Sequence, residues 1–256
     1  MTATITGVRV ASLSVPRHFA LMGELDGAGS VELDFVVWSI RTDDGVCLVD
    51  TGLPRGEDFA HLDDMNSGGE DRWRFRDVRS VGEALDDLGV APAEVDAVLL
   101  TQLVTYCSGG LEEGLFPHAR IVLARAGLEE YLAGGVGHPP TSLYVTPGGW
   151  RAIGEAAAQG RLDVVDRRHR VVPGVEFVVT GGHHPASASV RVSTDDGRGI
   201  ALMETAFLQE NVETSRPIGI AESAADARRA VVEARSEGFE VVAMHDPQHR
   251  QRFAPR

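Results

Sequence analysis

Residues 99–110 read LLTQLVTYCSGG, and this stretch decides the fold. It continues the run Val95–Leu100, which is apolar apart from one Asp and has the length of a short buried strand. Gly109 and Gly110 predict a turn, and an amphipathic stretch follows them. The sequence therefore predicts a buried strand, a loop with several polar side chains and a turn in direct succession.

This stretch resembles the metal-binding segment of the metallo-β-lactamase superfamily, especially its lactonase-like branch. There the same frame, with apolar residues and a Thr before it and Gly-Gly after it, holds the motif H-x-H-x-D-H. In this chain Gln102, Val104, Tyr106 and Cys107 stand where His, His, Asp and His are expected. The resemblance implies an α/β fold, the four-layer αββα sandwich, and a site that has been either abandoned or rebuilt.

Three further segments extend the resemblance over residues 46–253. Residues 50–52, Asp-Thr-Gly, match a signature whose Asp forms a hydrogen bond near the metal-binding loop. His183 and His245 fall on two positions that hold histidine ligands in the family. Thr205 stands where a metal-bridging Asp is expected, so this position departs from the family pattern.

The resemblance implies about seven ligand positions, and only His183 and His245 keep a ligand residue there. Catalytic zinc sites generally use three protein ligands and one open position. One alternative is therefore a mononuclear zinc site of Cys107, His183 and His245, assisted by Glu204 or His184. We expect instead that the protein has no cofactor. Val104 cannot bind a metal, Gln102 and Thr205 are weak ligands, and Cys107 is a good ligand only as a thiolate.

The polar residues in these loops are more numerous than packing requires, and they predict a retained pocket for a small molecule. His183 and His245 are candidate acids or bases, because histidine titrates near neutral pH. Tyr106 is a candidate donor to a developing oxyanion, and Cys107 is a candidate nucleophile if a histidine lowers its pKa. The predicted substrate-binding residues are Gln102, Thr105, His184, Glu204 and Thr205.

Three functions are compatible with these residues. The first is a metal-independent enzyme acting on a small lactone, ester or other acyl substrate. The second is a catalytically inactive protein that binds a small molecule, and the third is a hydrolase with a remodelled mononuclear metal site.

Composition limits the partners. The chain has 256 residues with 38 acidic and 24 basic side chains, which gives a formal charge of −14. Such a charge repels nucleic acid and anionic membranes, so we expect neither as a partner. The absence of repeats and linkers predicts one domain over residues 1–256, and a homodimer is the usual oligomer of a soluble protein.

Cysteine content and hydropathy address location. Cys47 and Cys107 are too few for a disulfide framework in a chain of this length. The N-terminus lacks the pattern of a secretory signal, and no stretch approaches 18 uninterrupted apolar residues. We therefore expect a cytoplasmic protein, and the scarcity of Lys beside many Ala, Gly and Arg is typical of a bacterial source.

Local patterns predict several elements. Alternating or apolar runs favour strands at 5–15, 33–42 and 46–50, with a hairpin turn at 43–45. The pattern Ser-x-x-Glu at residues 80–83 predicts the start of a helix, because the two side chains cap each other's amides.

Other segments are less regular. Residues 18–23 form an apolar loop that either lines a cleft or packs under the first strand. Residues 55–79 are expected to form a long surface segment with at most a short helix. The basic run 167–170 is interpreted as a solvated turn, and residues 195–197 as the turn of a hairpin.

Overall fold

Two β-sheets stacked face to face form the centre of the fold in the computed structural model, which describes residues 3–25, 27–133, 145–193 and 199–255. The first sheet contains, in spatial order, β1 (Thr4–Pro16), β2 (Ser30–Thr42), β3 (Gly45–Val49), β4 (Val95–Leu99), β5 (Arg120–Ala124) and β6 (Leu162–Val165). The second contains, in spatial order, β7 (Arg168–Val172), β8 (Val175–Val179), β9 (Ala188–Ser193), β10 (Gly199–Met203) and β11 (Phe239–Ala243).

The strand directions follow from the connections. Strands β1 to β3 are antiparallel neighbours, whereas β3 to β6 run parallel and are joined by helical crossovers. In the second sheet β7 to β10 are antiparallel, and β11 joins β10 in parallel. The helices are α1 (Arg17–Ala20), α2 (Gly56–Ser67), α3 (Val81–Leu88), α4 (Thr105–Ser108), α5 (Arg125–Ala133), α6 (Pro147–Ala158), α7 (Gln209–Thr214) and α8 (Ala224–Ser236).

Three apolar clusters define four layers. Residues of α3 and α6 pack with the outer face of the first sheet, and residues of α7 and α8 pack with the second sheet. Between the sheets lies a third cluster that includes Trp38, Leu99 and Phe177. The predicted αββα sandwich is therefore confirmed. None of the described helices is long and apolar enough to cross a membrane.

The local predictions hold at the first three strands and at α3. The hairpin turn 43–45 joins β2 and β3, and Ser80 and Glu83 form the reciprocal capping box of α3. The predicted turn 195–197 lies outside the described residues. The segment 55–79 differs from the prediction, because it contains the twelve-residue helix α2 with Leu62 buried.

The basic run 167–170 is not a turn. Residues 168–172 form β7, which pairs with β8, and the chain reverses at Pro173 and Gly174 instead. Gly174 takes a φ of 79°, which favours glycine. Strand β7 is the edge of its sheet, where charged side chains are common because they discourage further strand pairing.

Gly109 and Gly110 allow their backbone to lie very close to the backbone of residues 51–54. They lie in a 3₁₀ helix, Gly109–Glu113, and not in a turn with positive φ. A Cβ atom on Gly109 would lie 2.1 Å from the backbone nitrogen of Pro54, and one on Gly110 would lie 2.4 Å from the Thr51 carbonyl oxygen. The approach of the segment 51–54 to residues 109 and 110 therefore requires glycine at both positions.

We expect Gly109→Ala to destabilise the protein by more than about 2 kcal/mol, because the added methyl would overlap backbone atoms that cannot rotate away. Urea unfolding followed by circular dichroism measures the change. Gly154→Ala is the matched control: Gly154 lies inside α6 with open space around its Cβ position, so alanine should add about 0.5–1 kcal/mol of stability. Equal effects at the two positions would contradict the close-approach argument.

Candidate functional site

The end of β3 fixes the loop that follows β4. The Asp50 carboxylate accepts hydrogen bonds from the Thr101 backbone N–H at 2.8 Å and from the Thr101 hydroxyl at 2.6 Å. Next to it, the backbone N–H of Thr51 donates to the Cys107 carbonyl oxygen at 2.7 Å. Burial raises the pKa of Asp50 to about 7, against the hydrogen bonds from Thr101. The segment from Thr101 to Cys107 is therefore held at both ends by the adjacent residues Asp50 and Thr51.

This loop brings Gln102, which precedes α4, next to Tyr106, which lies in α4. The hydroxyl oxygen of Tyr106 lies 2.8 Å from Oε1 of Gln102. The other end of this amide, Nε2, lies 3.4 Å from Nδ1 of His183. Burial and the nearby groups Cys107 and Glu204 raise the pKa of Tyr106 well above its usual value, so its hydroxyl stays protonated.

His183 and Glu204 form a buried pair. Nδ1 of His183 lies 2.5 Å from Oε1 of Glu204, whose side chain is completely buried. Burial opposes the charge of Glu204, but His183, a hydrogen bond from Ser187 and the charge of His245 together hold its pKa below the usual range. The carboxylate is therefore ionised, and it orients the imidazole. The Thr205 hydroxyl accepts the backbone N–H of His183 at 3.0 Å and fixes the turn that carries it.

His245 follows β11 and is held by β2. Its Nδ1 lies 2.8 Å from the backbone carbonyl oxygen of Asp34, and a carbonyl can only accept, so Nδ1 carries the hydrogen. The backbone N–H of Asp34 donates to the His245 carbonyl oxygen at 2.8 Å. Burial lowers the pKa of His245, although the charge of Glu204 opposes this. The ring is therefore neutral near pH 7, and Nε2 keeps its lone pair.

Tyr106 and His245 form the polar end of an apolar cavity of about 500 Å³. The other lining residues are Leu13, Val15, Phe19, Leu33, Phe35, Leu62, Met65, Asn66, Phe75, Phe207 and Ile220. The ring of Phe207 stands between the two histidines, with centroids 5.0 Å from His183 and 5.3 Å from His245. The cavity can therefore receive an apolar chain whose polar end meets Tyr106 and His245.

The structure brings together five of the predicted residues. Tyr106 and His245 line the cavity, while Gln102, His183 and Glu204 form the hydrogen-bonded network behind them. The described elements thus bring together four chain segments, which follow β4, β8, β10 and β11.

The other predicted residues lie elsewhere. The thiol of Cys107 faces the Thr101 hydroxyl at 4.0 Å, and burial raises its pKa well above the usual value. Thr105 is buried within α4, and His184 is directed away from His183, with Nε2 2.9 Å from a carboxylate oxygen of Glu130. None of the three lines the cavity. The nucleophilic role predicted for Cys107 stays a prediction and gains no support from this position.

Much of the cavity wall was not predicted as functional. Leu62 and Met65 come from α2, in a segment interpreted as surface, and Phe207 was overlooked beside Thr205. Phe19 lies in α1, within the segment 18–23 that was predicted to be an apolar loop and for which lining a cleft was one of two interpretations. The sequence signal that could have identified Phe207 is the apolar pair Phe207 and Leu208 just before α7.

A second cavity, of about 470 Å³, lies on the other side of β2. It is lined by residues such as Arg9, Arg79 and Asp34, whose charges are paired with Asp77, Asp87 and Arg250 in turn. It contains none of the predicted site residues, so the apolar cavity is the candidate site.

Comparison with known proteins agrees with this geometry. No model of a known protein family matches the chain. An N-acyl homoserine lactonase of Bacillus cereus is 24% identical over 192 residues, which are 72% of this chain and 70% of that protein. A solved N-acyl homoserine lactone hydrolase, with the product N-hexanoyl-L-homoserine bound at its catalytic metal centre, superposes with a TM-score of 0.77. It is 18% identical and covers 98% of this chain and 97% of its own.

One expectation is wrong. The sequence predicted a protein without a cofactor, whereas the solved relatives are metal enzymes: besides the hydrolase with its metal centre, a dizinc quorum-quenching lactonase covers 96% of this chain and 88% of its own. That lactonase is 11% identical, with a TM-score of 0.63.

The residues present do not fit a dizinc centre. Among the residues that the structure describes, no group of three or more His, Cys, Asp or Glu side chains is arranged to hold a metal ion. The predicted set of Cys107, His183 and His245 is not such a group, and the Cys107 thiol faces the Thr101 hydroxyl with its pKa raised well above the usual value. The mechanism proposed for this chain therefore uses only its own side chains and water.

The two-sheet architecture, its match to solved lactone hydrolases and the curated relatives support a hydrolase. The chain is a lactonase-like protein with the metallo-β-lactamase fold.

Proposed function

We propose that the chain hydrolyses a lactone or ester whose acyl part is an apolar chain. The observation that carries this proposal is the cavity of about 500 Å³ that ends on Tyr106 and His245. Cavities of this size hold small organic molecules, and polar groups at one end fix their orientation. The similarity to N-acyl homoserine lactonases supports the same substrate class, a lactone ring joined to an acyl chain.

His245 acts as the general base in this proposal. Its Nδ1–H is engaged with the Asp34 carbonyl oxygen, so Nε2 is the atom that accepts a proton. Nε2 takes a proton from water while the water oxygen forms a bond to the substrate carbonyl carbon. The C–O bond of the ring or ester then breaks, and His245 returns the proton to the leaving oxygen.

Tyr106 stabilises the oxyanion that forms at the carbonyl oxygen. Its raised pKa keeps the hydroxyl protonated and therefore able to donate. His183 and Glu204 act behind it through Gln102, as a hydrogen-bonded pair that holds the polar end of the cavity in place. Cys107, Thr105, His184 and Thr205 support the loops in this proposal and do not contact substrate.

A binding protein without turnover is the alternative function, and the shape of the apolar cavity fits it equally well. Saturable binding of lactones without hydrolysis would select this alternative. We also retain three predictions from the sequence as part of this proposal: a single domain, a homodimer and a cytoplasmic location.

Replacing His245 should abolish most turnover. In His245→Asn the amide can still donate to the Asp34 carbonyl, but no proton-accepting nitrogen remains, so we expect kcat to fall roughly 10²- to 10⁴-fold. Hydrolysis of a panel of acyl lactones and esters, with and without added zinc, measures this. His118→Asn changes an exposed histidine outside the cavity and should leave the rate unchanged. A fully active His245→Asn would remove the general base from the mechanism.

The pH profile should have its acid limb below pH 6.5. Burial lowers the pKa of His245 from its ordinary 6.5, and the base works only when neutral, so activity rises as pH increases through that lowered pKa. The basic limb should lie above pH 10, because the pKa of Tyr106 is raised above that ordinary value. The profile of kcat/KM for the panel's best substrate tests both limbs. An acid limb above pH 6.5 would contradict the assignment of His245.

Chain length should control affinity. Each methylene buried in the cavity contributes about 0.8 kcal/mol, so KM should fall up to about fourfold per added carbon until the cavity is filled. Met65→Trp should weaken this dependence, since the indole would occupy the cavity wall where the chain lies. Val232→Trp, at an exposed position of α8, is the control. A KM independent of chain length in the wild-type protein would disprove the acyl cavity.

A further inference from the structure

The orientation of the Gln102 amide follows from the groups on either side of it. Glu204 is ionised and completely buried, and a carboxylate can only accept hydrogen bonds. Since its Oε1 lies 2.5 Å from Nδ1 of His183, that ring nitrogen must carry the hydrogen. Whatever atom of Gln102 faces the same nitrogen should therefore be an acceptor.

The two ends of a glutamine amide have the same shape, so their partners decide which end faces which group. With Nε2 3.4 Å from Nδ1 of His183, two N–H donors face each other inside the protein. Reversing the amide places Oε1 there. The Nδ1–H of His183 then donates to two acceptors, Glu204 at 2.5 Å and, more weakly, Gln102 at 3.4 Å. The reversal removes a buried donor–donor contact without moving any heavy atom.

Reversal changes the role of Tyr106. The amide nitrogen then lies 2.8 Å from the Tyr106 hydroxyl oxygen and has no lone pair to offer, so Gln102 donates and Tyr106 accepts. Among the described residues, Gln102 is the one that forms a hydrogen bond with this hydroxyl, so the hydroxyl's own hydrogen is left to point elsewhere. The apolar cavity is the open space that Tyr106 lines, so it is the volume available to this hydrogen.

We propose that Gln102 is a positioning residue whose reversed amide, set by the His183–Glu204 pair, directs the Tyr106 hydroxyl hydrogen into the cavity. In the opposite orientation Tyr106 would donate its only hydroxyl hydrogen to Oε1 of Gln102 and could not donate it to a ligand. The use of this hydrogen in catalysis rests on the proposed function, whereas its direction does not.

Raman spectroscopy of the protein without ligand tests the direction. The intensity ratio of the tyrosine Fermi doublet rises when the hydroxyl accepts a hydrogen bond and falls when it donates one. Subtracting the spectrum of Tyr106→Phe isolates the signal of Tyr106 from the other two tyrosines. We expect a high ratio in the wild-type protein that decreases in Gln102→Met, which has similar size and no amide. A low ratio that increases in Gln102→Met would overturn the proposal.

Kinetics test the catalytic use. Tyr106→Phe should lower kcat roughly 10²-fold, as loss of one oxyanion donor does, with little change in KM. Gln102→Met should lower kcat in the wild-type background and have no further effect in the Tyr106→Phe background. An equal loss in both backgrounds would mean that Gln102 acts by packing and not through Tyr106. Gln159→Met, at an exposed position, is the control, and thermal unfolding checks that each variant is folded.

The two experiments fail separately. If no lactone or ester is hydrolysed, the proposed function falls, and the Raman ratio still decides the direction of the hydrogen. If Gln102→Met does not fold, the difference spectrum between the wild-type protein and Tyr106→Phe decides it alone.

Discussion

The site depends on one buried carboxylate, Asp50, which accepts two hydrogen bonds from Thr101. These bonds join the ends of the neighbouring parallel strands β3 and β4 and fix the start of the loop between β4 and α4. The loop's other end is held by Thr51, next in the chain. Asp50 itself has a φ of 58°, a left-handed conformation that costs energy for most residues and is tolerated best by Asp and Asn. Backbone strain and burial are thus concentrated at the position that holds the loop.

From this attachment, two different environments follow on either side of Phe207. On one side Tyr106 and His245 line an apolar cavity, and on the other His183 and Glu204 form a hydrogen-bonded pair that does not line it. Gln102 connects the two environments through its amide. The separation allows a permanent charge to orient the polar end of the cavity while the cavity itself stays apolar.

Electrostatics explains why several acidic groups can share this small volume. Glu204 is ionised because His183 lies against it, and its charge helps to keep Tyr106 and Cys107 protonated. The pKa of Asp50 is raised to about 7 mainly by burial. Glu204 as the ionised carboxylate, with Tyr106 and Cys107 protonated and Asp50 only partly ionised near pH 7, is an arrangement that a low dielectric favours.

The sequence by itself determined the layers of the fold, because apolar runs, a capping box and the family frame around residues 99–110 are local patterns. It also identified Tyr106 and His245, which stand directly after buried strands or their loops. Only the tertiary structure decided what these residues contact: the Asp34 carbonyl that sets the His245 tautomer, the Phe207 ring between the histidines, and the wall supplied by α2. These contacts join segments up to 211 residues apart, and no periodicity within one segment records the packing of another.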